Sequence, residues 1–290
     1  MTSMLPEKTT TENKSANYVT NFFKEHKIGA ALRQSNFFKQ KGFPCRDLLH
    51  FLVLLVFTGK NLFRYLQSDA EEAPFRKDAI YRFLNDCHYN WRKFLLLVNS
   101  QIIRCRIVPL TGEKRVNVFI IDDSLFSRAR SKTVELLARV WDHVDSKYVR
   151  GFRMLTLGWS DGNTFMPLAF SLLSSEKESN RLCSMNNSID KRTNGYQRRK
   201  EAICKSTDVL LDLLKQAKAY MVPANYLLFD SWFAFPGVIR KIRELKLHTI
   251  CMIKSMPTVH YEYQGQKLTL NKSYTPLSGK SGAGPRFSLP

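Results

Sequence analysis

The sequence predicts a mixed α/β protein: a helical N-terminal region, then a mixed sheet flanked by helices. Three observations point there. Apolar residues recur at three- and four-residue spacing from Tyr18 to about Val108. After Arg115 the pattern changes to short apolar runs, beginning with "VNVFII" (116–121). Beyond residue 200 such runs alternate with helical segments, which adds strands to a hairpin-built sheet.

Residues 1–16 are polar and are expected to form a disordered tail. A helical region, 17–110, follows. "DLLHFLVLLVFTGKNLFRYL" has the length and leucine content of a buried helix, a break at Gly59 and a second helix. From Phe75 to Arg104, apolar residues at 80, 83, 84, 87, 91, 94, 95 and 98 mark one helix face. Arg76, Lys77, Arg82, Arg92 and Lys93 decorate this segment. Singly each reads as part of a solvated face; together they suit a helical domain lying on phosphates.

The sheet region, 111–276, opens after Pro109 and "TGEK". "GFRMLTLGWS" (151–160) and "TFMPLAFSLL" (164–173) flank an Asp-Gly-Asn turn, a hairpin signal. A long charged connection leads to a helix over 201–220, with apolar residues at 203, 209, 210, 213, 214 and 217. A strand over 225–233, a helix opened by Pro236 and a last strand from His248 complete the order.

Charge narrows the function classes. The 290 residues hold 45 Lys and Arg against 25 Asp and Glu, a formal net charge of +20. Such an excess speaks of anionic partners: nucleic acid first, because each neutralised phosphate releases counterions, and an anionic membrane surface second. The longest apolar run, Leu48 to Phe57, is too short for a hydrocarbon core about 30 Å thick. No hydrophobic signal region opens the chain, so a soluble, cytoplasmic protein is expected. The six cysteines form no C-x-x-C pair and have no His at zinc spacing; reduced, mostly buried thiols are expected.

Two places share one design. In "FIIDDS" and "YLLFDSW" an apolar strand runs into Asp and then Ser. An Asp after a strand is usually a turn or cap residue. If the two strands lie side by side, however, Asp230 meets Asp122 or Asp123. Neighbouring carboxylates repel unless a proton or cation lies between them, and phosphodiester cleavage commonly uses a metal pair there.

The stretches "VFIIDDSLFSRARSK", "YVRGFRMLTLGWSDGNTFMPLAFSLLSS", "KRTNGYQRRK" and "YLLFDSWFAFP" resemble, in this order, the DDE transposases of bacterial insertion sequences, specifically the family numbered four. The resemblance runs over roughly residues 40 to 272. It implies an RNase H-like catalytic domain in 111–276 and a DNA-binding region in 17–110. It also implies binding to the element's terminal inverted repeats, Mg²⁺-dependent cleavage (Mn²⁺ as substitute) and joining of the freed 3′ hydroxyl to target DNA. Double-stranded DNA is the implied partner, with self-association on it, in a bacterial, nucleoid-associated setting.

The family's first acid lies in an Asp-x-Ser/Thr pattern, which Asp122 with Ser124 fits; Asp123 is the alternative, since neighbours on a strand point to opposite faces. Asp230 matches the second acid. Both are the expected metal ligands. Trp232 either stacks a displaced base or packs on the sheet. Arg128, Arg130 and Lys132, and then Lys191, Arg192, Arg198, Arg199 and Lys200, crowd two expected loops, where phosphate contact competes with plain solvation. The family's third acid, a Glu in a Tyr-Arg-Glu-Lys pattern, has no match; Glu262 lacks the context. The Gly- and Pro-rich end, 277–290, is expected to be an aberrant tail, and a frameshift near residue 277 is the suggested cause of an incomplete domain.

Overall fold

A computed structural model of the chain describes residues 7–59, 61–68, 75–112, 114–186, 188–253, 256, 259–263 and 265–269. The expectations for residues 1–6 and 277–290 lie outside them. Among the described residues six α-helices build the N-terminal region: α1 (Glu7–Glu25), α2 (Ile28–Gln34), α3 (Cys45–Thr58), α4 (Leu62–Ser68), α5 (Lys77–Asn85) and α6 (Trp91–Ile102). Residues 7–16, expected in a tail, form the first turns of α1. Val19 and Phe23 bury the other half of that helix, and adding turns to an existing helix costs little. Gly59, at φ +64°, closes α3 in the left-handed conformation, the break read from the sequence.

The single helix face expected across residues 80–98 is instead two helices. Asp86 accepts a hydrogen bond from the His88 N–H at 2.9 Å, and Asn90 caps α6 by accepting from Lys93 N at 3.0 Å. Local side-chain bonds thus outcompete helix continuation at residues 86–90. Phe37 fills the bend, 4.5 Å from the Tyr89 ring and 4.6 Å from that of Trp91.

Six strands form the main sheet: β1 (Val118–Ser127), β2 (Ala138–Asp142), β3 (Lys147–Ser160), β4 (Phe165–Leu173), β5 (Tyr226–Phe229) and β6 (His248–Cys251). The order is β2-β3-β1-β5-β6, with β4 also on β3. β3 runs antiparallel to β1, β2 and β4, whereas β5 lies parallel to β1 and β6 parallel to β5. This is the mixed sheet expected, an antiparallel part built around β3 and extended by parallel crossovers. The Asp-Gly-Asn turn joins β3 to β4 with Gly162 at φ +92°. Asp161 holds the turn by accepting from Asn163 N at 3.0 Å and Thr164 N at 2.8 Å. β1 does not stop at the two aspartates but continues through them to Ser127.

Helices α7 (Asn194–Ala202), α8 (Ser206–Ala219) and α9 (Pro236–Glu244) connect the later strands. The helix expected over 201–220 begins at Ser206, because residues 203–205 break away from α7. β5 ends at Phe229, and a 3₁₀ turn, Ser231–Phe233, takes the rest of the expected strand. A small hairpin, β7 (Tyr261–Tyr263) with β8 (Gln266–Leu268), turns at Gly265 with φ +77°. One face of the sheet buries Phe119, Ile121, Leu155, Leu157 and Trp159 against α8 and α9. Leu96 and Ile103 enter the same core, so the helical region and the sheet share it. The Trp159 indole donates to Pro223 O at 2.6 Å, satisfying its one polar atom. Of the cysteines only Cys45 is buried, against the mostly buried thiols expected. Among the described residues no helix is long and apolar enough to cross a membrane.

Candidate active site

Strand alternation separates the two adjacent aspartates of β1. Phe119 and Ile121 point into the core, so Asp123 lies on the core face and Asp122 on the opposite one. Asp123 is 12% exposed and holds Arg153 of β3, whose Nε and Nη2 donate to Oδ2 at 2.7 and 2.5 Å. Arg153 also donates to Trp141 O at 3.3 Å, which anchors β2. Asp122 is exposed and forms no ion pair with a described residue.

The parallel neighbour brings the second acid. β1 and β5 pair in the register Val118↔Tyr226, Phe119↔Leu227 and Ile120↔Leu228. Two residues further at the same offset stand Asp122 and Asp230, one at each strand. Asp230 is exposed, caps the 3₁₀ turn by accepting from Trp232 N at 2.8 Å, and likewise forms no ion pair among the described residues. On a chain of charge +20, two carboxylates at aligned strand ends are thus exposed and form no ion pair among the described residues. Their oxygens are the donor type that suits a hard divalent ion such as Mg²⁺.

Trp232 is 48% exposed, and its ring stands 6.2 Å from that of His143, inclined at 68°. It therefore faces the turn between β2 and β3 rather than the core. Of the basic candidates, Arg192 pairs with Asp190 at 2.9 Å, Arg198 with Glu201 at 3.0 Å and Arg199 with Glu135 at 2.8 Å. Arg128 lies over the Phe126 ring at 4.8 Å. Arg130, Lys132, Lys191 and Lys200 are exposed and form no ion pair among the described residues. Arg198, Arg199 and Lys200 stand on α7, not in the loop expected.

A family model described as "DDE superfamily endonuclease" matches residues 46–289. The chain belongs to that superfamily. No curated protein matches it. Among solved structures, this DDE chain is similar to the Drosophila P element transposase strand transfer complex, at 11% identity and a TM-score of 0.34, over 85% of this chain and 52% of the other. It is also similar to a piggyBac transposase synaptic complex with hairpin DNA, at 14% identity and a TM-score of 0.32, over 84% of this chain and 42% of the other. It spans about half the length of those chains.

A second acidic position in this DDE chain has no sequence signal. Glu201 of α7 takes both ends of the Arg92 guanidinium at 2.8 and 2.6 Å, and Arg92 also donates to Phe170 O at 2.8 Å. The Ser171 hydroxyl donates to the same carboxylate. Arg92 is 5% exposed, so it is withdrawn from the phosphate-facing row expected along residues 76–93. Nearby, Glu135 accepts from Arg199 and from Asn186 N at 2.7 Å. Burial pushes the Glu135 carboxyl up, but the Arg199 bonds, the Asn186 N–H and the guanidinium charge outweigh it and hold it below the usual carboxylate range. Four residues on three elements meet here: sequence distance hides the joint, and only the buried charge reveals it.

Proposed function

We propose that the chain is a transposase of a bacterial insertion sequence of the family numbered four, acting on double-stranded DNA at the element's terminal inverted repeats. The carrying observation is the offset between β1 and β5, which aligns two exposed carboxylates that form no ion pair among the described residues. In this reading Asp122 and Asp230 hold Mg²⁺, or Mn²⁺ in its place. The metal supplies charge stabilisation at the attacking and leaving oxygens of the phosphodiester. The chain's own residues do the rest. Asp123, fixed by Arg153, keeps β1 in register so that Asp122 points to solvent. Asp230 is aimed by its bond to Trp232 N. Arg130, Lys132, Lys191 and Lys200 supply unpaired positive charge for phosphates, and exposed Trp232 offers a ring on which a displaced base stacks.

The products are nicked element ends whose 3′ hydroxyls are joined to target DNA, with the chain self-associating on DNA in the bacterial cytoplasm, at the nucleoid. In this reading the site is impaired: the third acid of the family pattern has no match in the sequence, so cleavage is weak. The division into a helical DNA-binding region, 17–110, and a catalytic region, 111–276, belongs to the same reading.

The test is a nicking assay on labelled inverted-repeat DNA with Mg²⁺ or Mn²⁺. Metal-dependent nicks that disappear in Asp230→Ala support the reading. Nicks that persist in that variant contradict it. Binding without any cleavage identifies a DNA-binding fragment that occupies repeat ends.

A further inference from the structure

The break between α5 and α6 holds a cluster that the DNA chemistry leaves unused. Asp86, Cys87 and His88 follow one another, and their donor atoms all lie within 4.8 Å of one another. His88 Nδ1 is 3.0 Å from Asp86 Oδ1 and 3.8 Å from Cys87 Sγ. A tetrahedral zinc ion, bound at about 2.3 Å from sulfur and about 2.0 Å from nitrogen or oxygen, sets its donors about 3.3–3.6 Å apart. The observed separations bracket that range. Three consecutive residues present three different donors at one point because the chain turns sharply there.

The turn is held from outside. Gly195 N donates to Cys87 O at 2.8 Å, and the Asn194 side chain donates to His88 O at 2.7 Å. A Cβ at Gly195 would come within 2.8 Å of the Cys87 Cβ, so α7 presses directly on the cluster. The His88 side chain is largely exposed, which leaves a route for an ion.

We propose that Asp86, Cys87 and His88 form a zinc site that fixes the turn between α5 and α6, the turn against which α7 rests. A thiolate, an imidazole and a carboxylate together select zinc rather than magnesium, and the thiol releases its proton on binding. The site differs from the Asp122–Asp230 edge in donors, metal and place, so it stands or falls independently of the proposed cleavage.

The experiment uses the full-length protein, stripped of metal and titrated with Co²⁺ as a spectroscopic probe. Saturation at one equivalent is expected, with a thiolate-to-cobalt charge-transfer band and visible bands of tetrahedral intensity. Both are expected to vanish in Cys87→Ser, to weaken at least about tenfold in apparent affinity in His88→Gln, and to persist in Asp230→Asn. Zn²⁺ in excess should bleach the spectrum and raise the melting temperature of the wild type but not of Cys87→Ser. If Cys87→Ser fails to fold by circular dichroism, His88→Gln and Asp86→Asn decide on the same readouts. Absence of the charge-transfer band, or its survival at full strength in the variants, overturns the proposal.

Discussion

Glu201 and Asp122 are both carboxylates at the sheet of a strongly basic chain, yet they sit in opposite electrostatic settings. Glu201 receives Arg92, Arg198 and the Ser171 hydroxyl, and its guanidinium partner Arg92 is almost wholly buried. Asp122 is exposed, beside the register position of a second acid, and takes no ion pair among the described residues. The first arrangement consumes its charge in fastening α6 to α7 and β4. The second leaves charge available for something outside the chain. Asp123, one residue along, falls with Glu201: its carboxylate is occupied by Arg153. Among these three carboxylates, the face of the strand or helix decides whether the charge is paired inside the fold or left at the surface.

Breaking the buried joint should have the largest effect. Glu201→Ala leaves the Arg92 charge buried and unpaired, at a cost of about 3–5 kcal/mol, read as a lowered midpoint in urea unfolding. The double variant Arg92→Met with Glu201→Leu should recover most of that loss. If Glu201→Ala unfolds like the wild type, the joint does not hold the two regions together.

The neighbouring aspartates sharpen the contrast. Asp123→Asn should cost about 1–3 kcal/mol, because Arg153 loses a charged partner while largely buried. Asp122→Asn should change stability by less than about 0.5 kcal/mol, since nothing in the fold depends on its charge. Equal losses in the two variants would erase the distinction.

Asp161 extends the structural class to a turn. The Thr164 N–H is the main cause that holds its carboxyl below the usual range, against the upward push of burial, with the Asn163 N–H and the Thr111 hydroxyl adding to it. The unfolded chain therefore binds this proton more readily than the folded one. The contribution is complete above the ordinary carboxylate range and is lost as pH falls through the depressed folded value. Melting temperature should drop over that acid window, and Asp161→Asn should flatten the drop; an unchanged acid profile would remove Asp161 from the structural class.

The smallest effects on stability are expected at Arg130 and Lys132. Replacing either by Gln should leave unfolding unchanged, while the salt dependence of DNA binding loses about one unit of slope per phosphate contact removed. A variant with the wild-type slope would show that its residue is merely solvated.

The hairpin of β3 and β4 and the matching ends of β1 and β5 were legible because they rest on local signals: apolar runs, an Asp-Gly-Asn turn and one repeated strand-to-Asp pattern; that β1 and β5 pair was only a condition of the reading, which their parallel register meets. β2 carries a weak sequence signal because it is only five residues long and Trp141, on its exposed face, makes the outward side look apolar. The continuation of β1 was hidden because it rests on pairing with β3, from Asp122↔Thr156 to Ser127↔Gly151, and on the Arg153 ion pair, both about 30 residues on in the chain. Arg92 looked like any surface arginine, and its partner Glu201 is 109 residues away. Burial of a charge is a tertiary event, and periodicity carries no trace of it.

The most direct test of the central claim is Mn²⁺ binding followed by electron paramagnetic resonance, which requires no turnover. The account predicts that the wild type and Asp123→Asn deplete the free Mn²⁺ signal alike, and that Asp122→Asn and Asp230→Asn each lose that binding. Equal binding by all four proteins, or loss in Asp123→Asn alone, would contradict it.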